Sequence, residues 1–440
     1  MSTVVNNKTD QYKEKFVRLF EQYELRLNGQ SNHPYHQLKK KGMDVMNQLT
    51  FPSRRDEDWK YTSINPILKG DFNLNAEFEG NFNIPGELAK MDAINLVFLN
   101  GVFQKSLSNI SNLPEGLTIQ KAVEAFETEE SVIRELTEHA LENATQSLVG
   151  LNIAMSQNPF FIRVNKNTKI DQPVHLIYAN DASADLLVNS QVMVVVEQGA
   201  EFSLVETFEG APADNSVFVN LLNRFKVGAN AKFSYYRVQN ESLQNSLVSN
   251  VLCFQGADST FNSYLADVGG NIVRNNLDTI LQGSNTTTQY FGVYAPADGQ
   301  HVDNQTFIDH ALPHCFSNEQ YKGVVGDNGR GVFNGKVMVR QDAQKTNAFQ
   351  QNSNLLLSDT SVMDSKPQLE IFADDVKCSH GATIGQLDED SVFYLRSRGL
   401  NNEQARSLLQ YGFLGEVVDQ FEEEQVRVFA KRLLQEKISK

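Results

Sequence analysis

The sequence predicts a mainly β chain: a long β-solenoid core with helical regions at its N- and C-terminal ends. Three observations carry this. From about Phe160 to Val376, runs such as Val192–Val196, Phe202–Val205 and Phe233–Tyr236 alternate with Gly, Asn and Asp, and helical spacing does not reappear. Inside that stretch a short unit recurs as Gly199-Ala-Glu, Gly228-Ala-Asn, Gly256-Ala-Asp and Gly283-Ser-Asn, at spacings of 29, 28 and 27 residues. Eight residues after the last three of these glycines stand Tyr236, Tyr264 and Phe291. A β-sandwich also needs many short strands, but it does not require a repeating corner of Gly, a small residue and an acid or amide. The solenoid is therefore preferred, with Asn and Gly at its corners because both tolerate the left-handed backbone region.

The flanking elements follow in order. Residues 1–70 read as a helical region: Tyr12, Phe16, Leu19, Phe20 and Tyr23 recur at helical spacing, Asn28-Gly29 supplies a stop, and a second helix covers His36–Leu49 until Phe51-Pro52 breaks it. The charged run Arg54–Thr62 reads as an amphipathic turn anchored by Trp59, the only tryptophan. Residues 71–159 mix short apolar runs and an Asn100-Gly101 turn with helical spacing from Ile119 to Met155. The β-helix core is expected over 160–395 and a C-terminal helical domain over 396–440. In the last of these, Asn401 and Gln404 fit a capping box. Ala405, Leu408, Leu409, Phe413, Val417 and Phe421 then form an apolar stripe that looks exposed. A final helix opens on Glu422-Glu423-Glu424 and ends near Lys437 and Lys440, matching charge to the macrodipole, with Val426, Phe429, Leu433 and Leu434 on its apolar face.

Composition narrows the function classes. At 440 residues the chain exceeds one ordinary compact core, whereas a solenoid can grow along one axis. A formal charge of −15 leaves no basic face for nucleic acid. Cys253, Cys315 and Cys378 are widely spaced with no CxxC pair, which argues against a zinc ribbon or a thioredoxin-like site. Met1–Asp10 lacks the apolar stretch of a secretory signal, and no run approaches the roughly 18–20 apolar residues that span a bilayer. No membrane partner, a cytoplasmic location and reduced thiols are expected.

A search for chemistry returns little. Gly331-Val-Phe-Asn-Gly335-Lys336 is one residue too short for a phosphate-binding loop, and Val337 stands where Ser or Thr must reach Mg²⁺. No GxSxG elbow and no HExxH occur. His310, His314 and Cys315 are weak metal candidates: in an extended segment, residues four apart lie about 13 Å apart, and only a turn at Pro313 brings them together. Cys378 and His380 differ. Being two apart, they project from one face of a strand with backbones about 6.6 Å apart, within reach of one soft or borderline ion. Two ligands do not complete a site, so the rest must come from water, a ligand or a partner chain; on the residues alone, a buried thiol beside a hydrogen-bonded imidazole is the preferred reading.

The string Pro367-Gln-Leu-Glu-Ile371, Asp374-Asp-Val-Lys-Cys-Ser-His-Gly-Ala-Thr383 and Phe393-Tyr-Leu-Arg-Ser-Arg-Gly399 closely resembles the C-terminal signature of the SufB/SufD family, subunits of an iron–sulfur cluster scaffold complex. Val302–His310, Tyr321-Lys-Gly-Val-Val, Gly331–Lys336, Asn354–Ser358 and Arg54–Thr62 are similar to further family elements. The resemblance lies nearer the SufD side, because Ser379-His380-Gly381 replaces the Glu-His-Glu of SufB. It implies a right-handed parallel β-helix and a non-catalytic scaffold subunit. It also implies pairing with a SufB-like paralogue, with Cys378 and His380 at that interface, and docking of a SufC-like ABC-type ATPase on the C-terminal helices through Leu408, Leu409, Phe413, Val417 and Phe421. No cofactor is expected to stay on the chain alone; the resemblance implies transient iron or an Fe–S cluster at the interface, with reduced flavin a possible cofactor of the complex and a homodimer a possible form in isolation. The alternatives are a self-sufficient SufB-like scaffold and a polysaccharide-active β-helix enzyme.

Overall fold

The computed structural model describes residues 7–25, 32–181, 183–210 and 214–439. Its centre is a β-solenoid of about seven turns. There are two ten-stranded sheets, and from Val174–Asn180 to Asn347–Leu356 consecutive strands alternate between them, so that within this stretch each strand pairs in parallel with the next but one in sequence. The first sheet runs from the hairpin Ile94–Leu99 and Val102–Phe103 to Lys377–Gly385; the second runs from Leu117–Lys121 to Val362–Ser365 and Gln368–Ile371. Among the described residues only the entry pairs are antiparallel. The solenoid thus begins before residue 160, because Ile94–Leu99 pairs directly with Val174–Asn180. It ends before 395, because the last strand stops at Gly385 and a helix occupies Glu389–Ser397. The helical spacing read from Ile119 also starts late: Leu117–Lys121 is a strand, and the helix begins at Ala122.

Strand registers show how the corners are built. In-register pairing aligns Asn167, Gly199, Asn230, Asp258, Asn285, His314 and Lys345 in one column, and every one has a positive φ between 57 and 69°. The partner of Gly199 is therefore Asn230 and not Gly228, so the first repeat spans 31 residues (230−199) rather than 29. Gly228, Gly256 and Gly283 have another task. A Cβ on Gly283 would lie 2.0 Å from the Ala257 nitrogen and 2.4 Å from the Gly256 carbonyl carbon, so these glycines let one coil's backbone approach the next. Tyr236, Tyr264 and Phe291 do stack as the spacing predicts, with centroids 4.6 and 5.6 Å apart.

Helices cover the outer faces of both sheets. Against the second sheet lie α1 (Asn7–Leu25), α2 (Pro34–Gln48), α3 (Asn65–Leu68), α4 (Ala122–Glu142) and α5 (Ser147–Met155). Phe16, Phe20, Trp59 and Leu151 pack there on Leu187, Phe218 and Val248. The Asn28-Gly29 stop and Lys440 fall outside the described residues. Against the first sheet lie α7 (Asn402–Val418) and α8 (Glu424–Ile438), preceded by α6 (Glu389–Ser397). The capping box at Asn401 and Gln404 is complete in both directions. Val417, Phe421, Val426, Phe429, Leu433 and Leu434 are buried against Val205, Tyr236, Tyr264 and Phe291. Among the described residues no helix is long and apolar enough to cross a membrane.

Candidate functional site

Among the described residues, the last strand of the first sheet, Lys377–Gly385, has a neighbour on one side only. Its register on Asn347–Leu356 sets Cys378 over Ala348, His380 over Gln350 and Ala382 over Asn352. Ala348, Gln350 and Asn352 are buried while Phe349 and Gln351 are exposed, so the even positions form the inward file. Cys378 and His380 continue that file onto the final rung, where no further coil covers them. They therefore share one face, as the spacing predicts, and His380 is exposed while Cys378 is half-buried. Cys378 packs against the cluster of Val337, Val339, Ala343, Ala348 and Ala373. Burial pushes its thiol up from the ordinary range, opposed by a hydrogen bond to the Ala348 backbone. A metal ion at this thiol must therefore displace a proton.

One rung below, Gln350 Nε2 donates to Glu319 Oε2 at 2.6 Å. Burial raises the Glu319 carboxyl to about 7, while its hydrogen bonds, that of Gln350 included, pull the other way. Sequence reading missed this pair. Its signal is the register itself, since polar residues recur at one inward position of successive coils. Around the open end lie exposed apolar side chains, Val362, Ile371, Phe372 and Ile384, of which Phe372 is 63% exposed. Ion pairs fringe them: Lys336 with Glu370 at 2.8 Å, Arg330 with Asp364 at 2.6 Å, and Lys345 with Asp375.

The other sequence candidates lie apart. His310 is buried inside the solenoid with Nε2 2.9 Å from Ser317 Oγ, and burial lowers its pKa to about 4. His314 occupies the exposed left-handed corner, and Cys315 is buried with Sγ 3.3 to 3.4 Å from the carbonyls of Leu312 and Gly283. The turn at Pro313 exists, but it sends the two rings to opposite sides of the wall. Among the described residues no group of three or more His, Cys, Asp or Glu side chains is arranged to hold a metal ion. The stripe read from Ala405 to Phe421 is also corrected: α7 ends at Val418, so Phe421 lies in the turn before α8; Val417 and Phe421 are under 2% exposed, and Phe413 is partly covered with Lys322 Nζ 4.5 Å from its ring centroid. Of the five docking candidates Leu408 alone is fully open, and Leu409 is intermediate. That helix spends most of its apolar face on its own chain. Among the described residues, the exposed apolar side chains of this region are Leu408 on α7, Phe393 and Tyr394 on α6, and Val428 on α8.

An open-ended β-solenoid with helical layers on both flanks, carrying a thiol and an imidazole side by side on its terminal rung, defines the class of protein. Residues 10–176 match the family described as "SufBD protein N-terminal region", and residues 177–413 match "SUF system FeS cluster assembly, SufBD core domain". The chain belongs to the SufB/SufD family of iron–sulfur cluster assembly proteins. It is 33% identical to an iron–sulfur cluster assembly SufBD family protein of Synechocystis over 86% of this chain and 85% of that one. It is 29% identical to the iron–sulfur cluster assembly protein SufD of Escherichia coli over 93% of each chain, and 29% identical to SufD of Bacillus subtilis over 66% of this chain and 67% of that one. Within the family it is SufD-like.

Proposed function

We propose that the chain is a non-catalytic subunit of a cytoplasmic iron–sulfur scaffold complex. It pairs through its open solenoid end with a SufB-like paralogue and supplies half of a site for iron or a nascent cluster. The observation that carries this is the position of Cys378 and His380: two soft-to-borderline ligands, too few to close a site, standing on a rung whose far side has no strand among the described residues. A related β-helix laid against that edge would both extend the sheet and bring the missing ligands. The iron or cluster is cargo rather than a resident group. Replacing both Cys378 and His380 with Ala should leave the fold intact, because neither side chain is fully buried, yet impair assembly in a reconstituted complex. Unchanged assembly would remove both residues from the site. A stable absorbing cluster on the isolated chain would instead favour a self-sufficient scaffold.

A SufC-like ATPase docks, in this reading, on the exposed part of the C-terminal helices. Phe393, Tyr394 and Leu408 support it, whereas Val417 and Phe421 hold the helices to the solenoid. Charging the surface with Phe393→Glu and Leu408→Glu should abolish co-purification of the ATPase while the chain still folds; retained binding would move the docking surface elsewhere.

A further inference from the structure

A cleft of about 620 Å³ lies on the outer face of the second sheet, roofed by the Trp59 turn and the end of α4. Its floor is two files of side chains from four strands in register. Asn250, Asn276, Gln305 and Asn334 form one; Leu252, Asp278, Phe307 and Lys336 form the other. The amide file is bonded along itself: Asn276 Nδ2 donates to Asn250 Oδ1 at 3.0 Å, and Asn334 Nδ2 donates to Gln305 Oε1 at 2.8 Å. That leaves Asn250 Nδ2 and Asn334 Oδ1 buried without a partner among the described residues. Each nearby cation is already committed. Arg274 pairs with Asp303 at 2.5 Å and lies 3.9 Å from the Trp59 ring centroid, Lys336 pairs with Glu370 at 2.8 Å, and Arg340 pairs with Asp309 at 2.6 Å.

Asp278 is the exception. Set between Leu252 and Phe307 in its file, it makes no hydrogen bond and no ion pair among the described residues. Burial, then the Asp58 carboxylate, pushes it up to about 7, with Arg274 opposing. An anionic ligand would find no free cation here, and a neutral one would leave the carboxylate uncompensated. A metal ion needs more carboxylate or imidazole ligands than the cleft offers. An ammonium group brings three donors and the missing charge. We propose that this cleft binds a small aliphatic amine, its ammonium on the Asp278 carboxylate, its carbon chain along Phe307, and a second donor on Asn334 Oδ1.

Calorimetric titration of the full chain with spermidine as the probe tests this at about 0.15 M salt, where exposed charges are screened. Saturable one-site binding is expected, weakened about tenfold or more by Asp278→Asn, as loss of a charge-assisted bond implies. Asn334→Leu should weaken it several-fold, and Asp171→Asn, at an exposed carboxylate elsewhere, should leave it unchanged. Asp278→Asn should melt no lower than the parent, since it removes an uncompensated charge; if it does melt lower, the Asn334→Leu titration decides alone. Heats that vanish at this salt, equal affinity in the Asp278 and Asn334 variants, or preferential binding of ATP as an anionic probe would each overturn the proposal.

Discussion

Two residue types share the corner of each coil and do different jobs. Asn230, Asp258 and Asn285 supply a positive φ, while Gly228, Gly256 and Gly283 let two backbones touch. Asn230→Gly should be nearly neutral, and Asn230→Ala should cost about 1–2 kcal/mol from left-handed backbone strain. Gly283→Ala should cost more, about 1–3 kcal/mol or above, because backbone rather than a movable side chain blocks the methyl. Denaturant midpoints of the three variants give the ranking. The glycines were legible as a repeat, but their role was not: the sequence shows a spacing, and only the register reveals that Gly199 aligns with Asn230. Cys378 and His380 were legible because strand alternation is a local property. His310, His314 and Cys315 were not, since their separation depends on a turn that places one ring inside and one outside. Glu319 adds a pH dependence with a definite sign. Its folded pKa, about 7, exceeds the ordinary value of 4.5, so between these limits the folded chain binds more protons than the unfolded one. Stability is therefore lost as pH rises from about 4.5 to 7, by at most about 3.4 kcal/mol at 1.36 kcal/mol per unit. His310 acts oppositely, gaining stability as pH rises from about 4 towards 6.5. The difference between the parent and Glu319→Gln isolates the carboxylate: the variant should gain relative stability on going from pH 5 to 8, as read from urea midpoints. A constant difference would refute it.

At the scale of elements, the C-terminal helices show where periodicity informs and where it misleads. The stripe from Ala405 to Phe421 was legible as one face of a helix, and the capping box at Asn401 fixed its start. What an apolar stripe packs against is a tertiary fact. Here it is mostly the chain's own first sheet, where Phe421 meets Tyr264 with ring centroids 5.3 Å apart. Phe421→Ala should therefore cost about 3–5 kcal/mol of local docking energy, as large core truncations do. Limited proteolysis should then cut near α7 and α8 faster while the solenoid strands stay protected. Faster cleavage throughout the chain would mean that the helices and the solenoid unfold together.

For the whole molecule, the four layers leave one end of the solenoid bare. The Lys377 N–H bonds the Thr346 carbonyl. Alternation along a parallel strand then turns the N–H groups of Cys378, His380 and Ala382 towards the open side. Ala382→Pro should remove one donor from that edge without breaking the ladder to Asn347–Leu356, and so weaken pairing with a SufB-like partner while leaving the melting temperature nearly unchanged. Co-purification and calorimetry on one preparation check both halves. The solenoid itself was legible from its repeat, but its open end was not, because a sequence shows where strands stop and not whether another chain continues them. A stack held together by nearest neighbours has a further property, which concerns time. Each inner rung is clamped from two sides and the Lys377–Gly385 rung from one, so it should fray first and exchange its amide hydrogens fastest. The residues proposed to hold cargo would then be the least ordered of the solenoid until a partner arrives. Loading would come after pairing, and slowing of amide exchange at Cys378–Ala382 would mark the moment the site is ready.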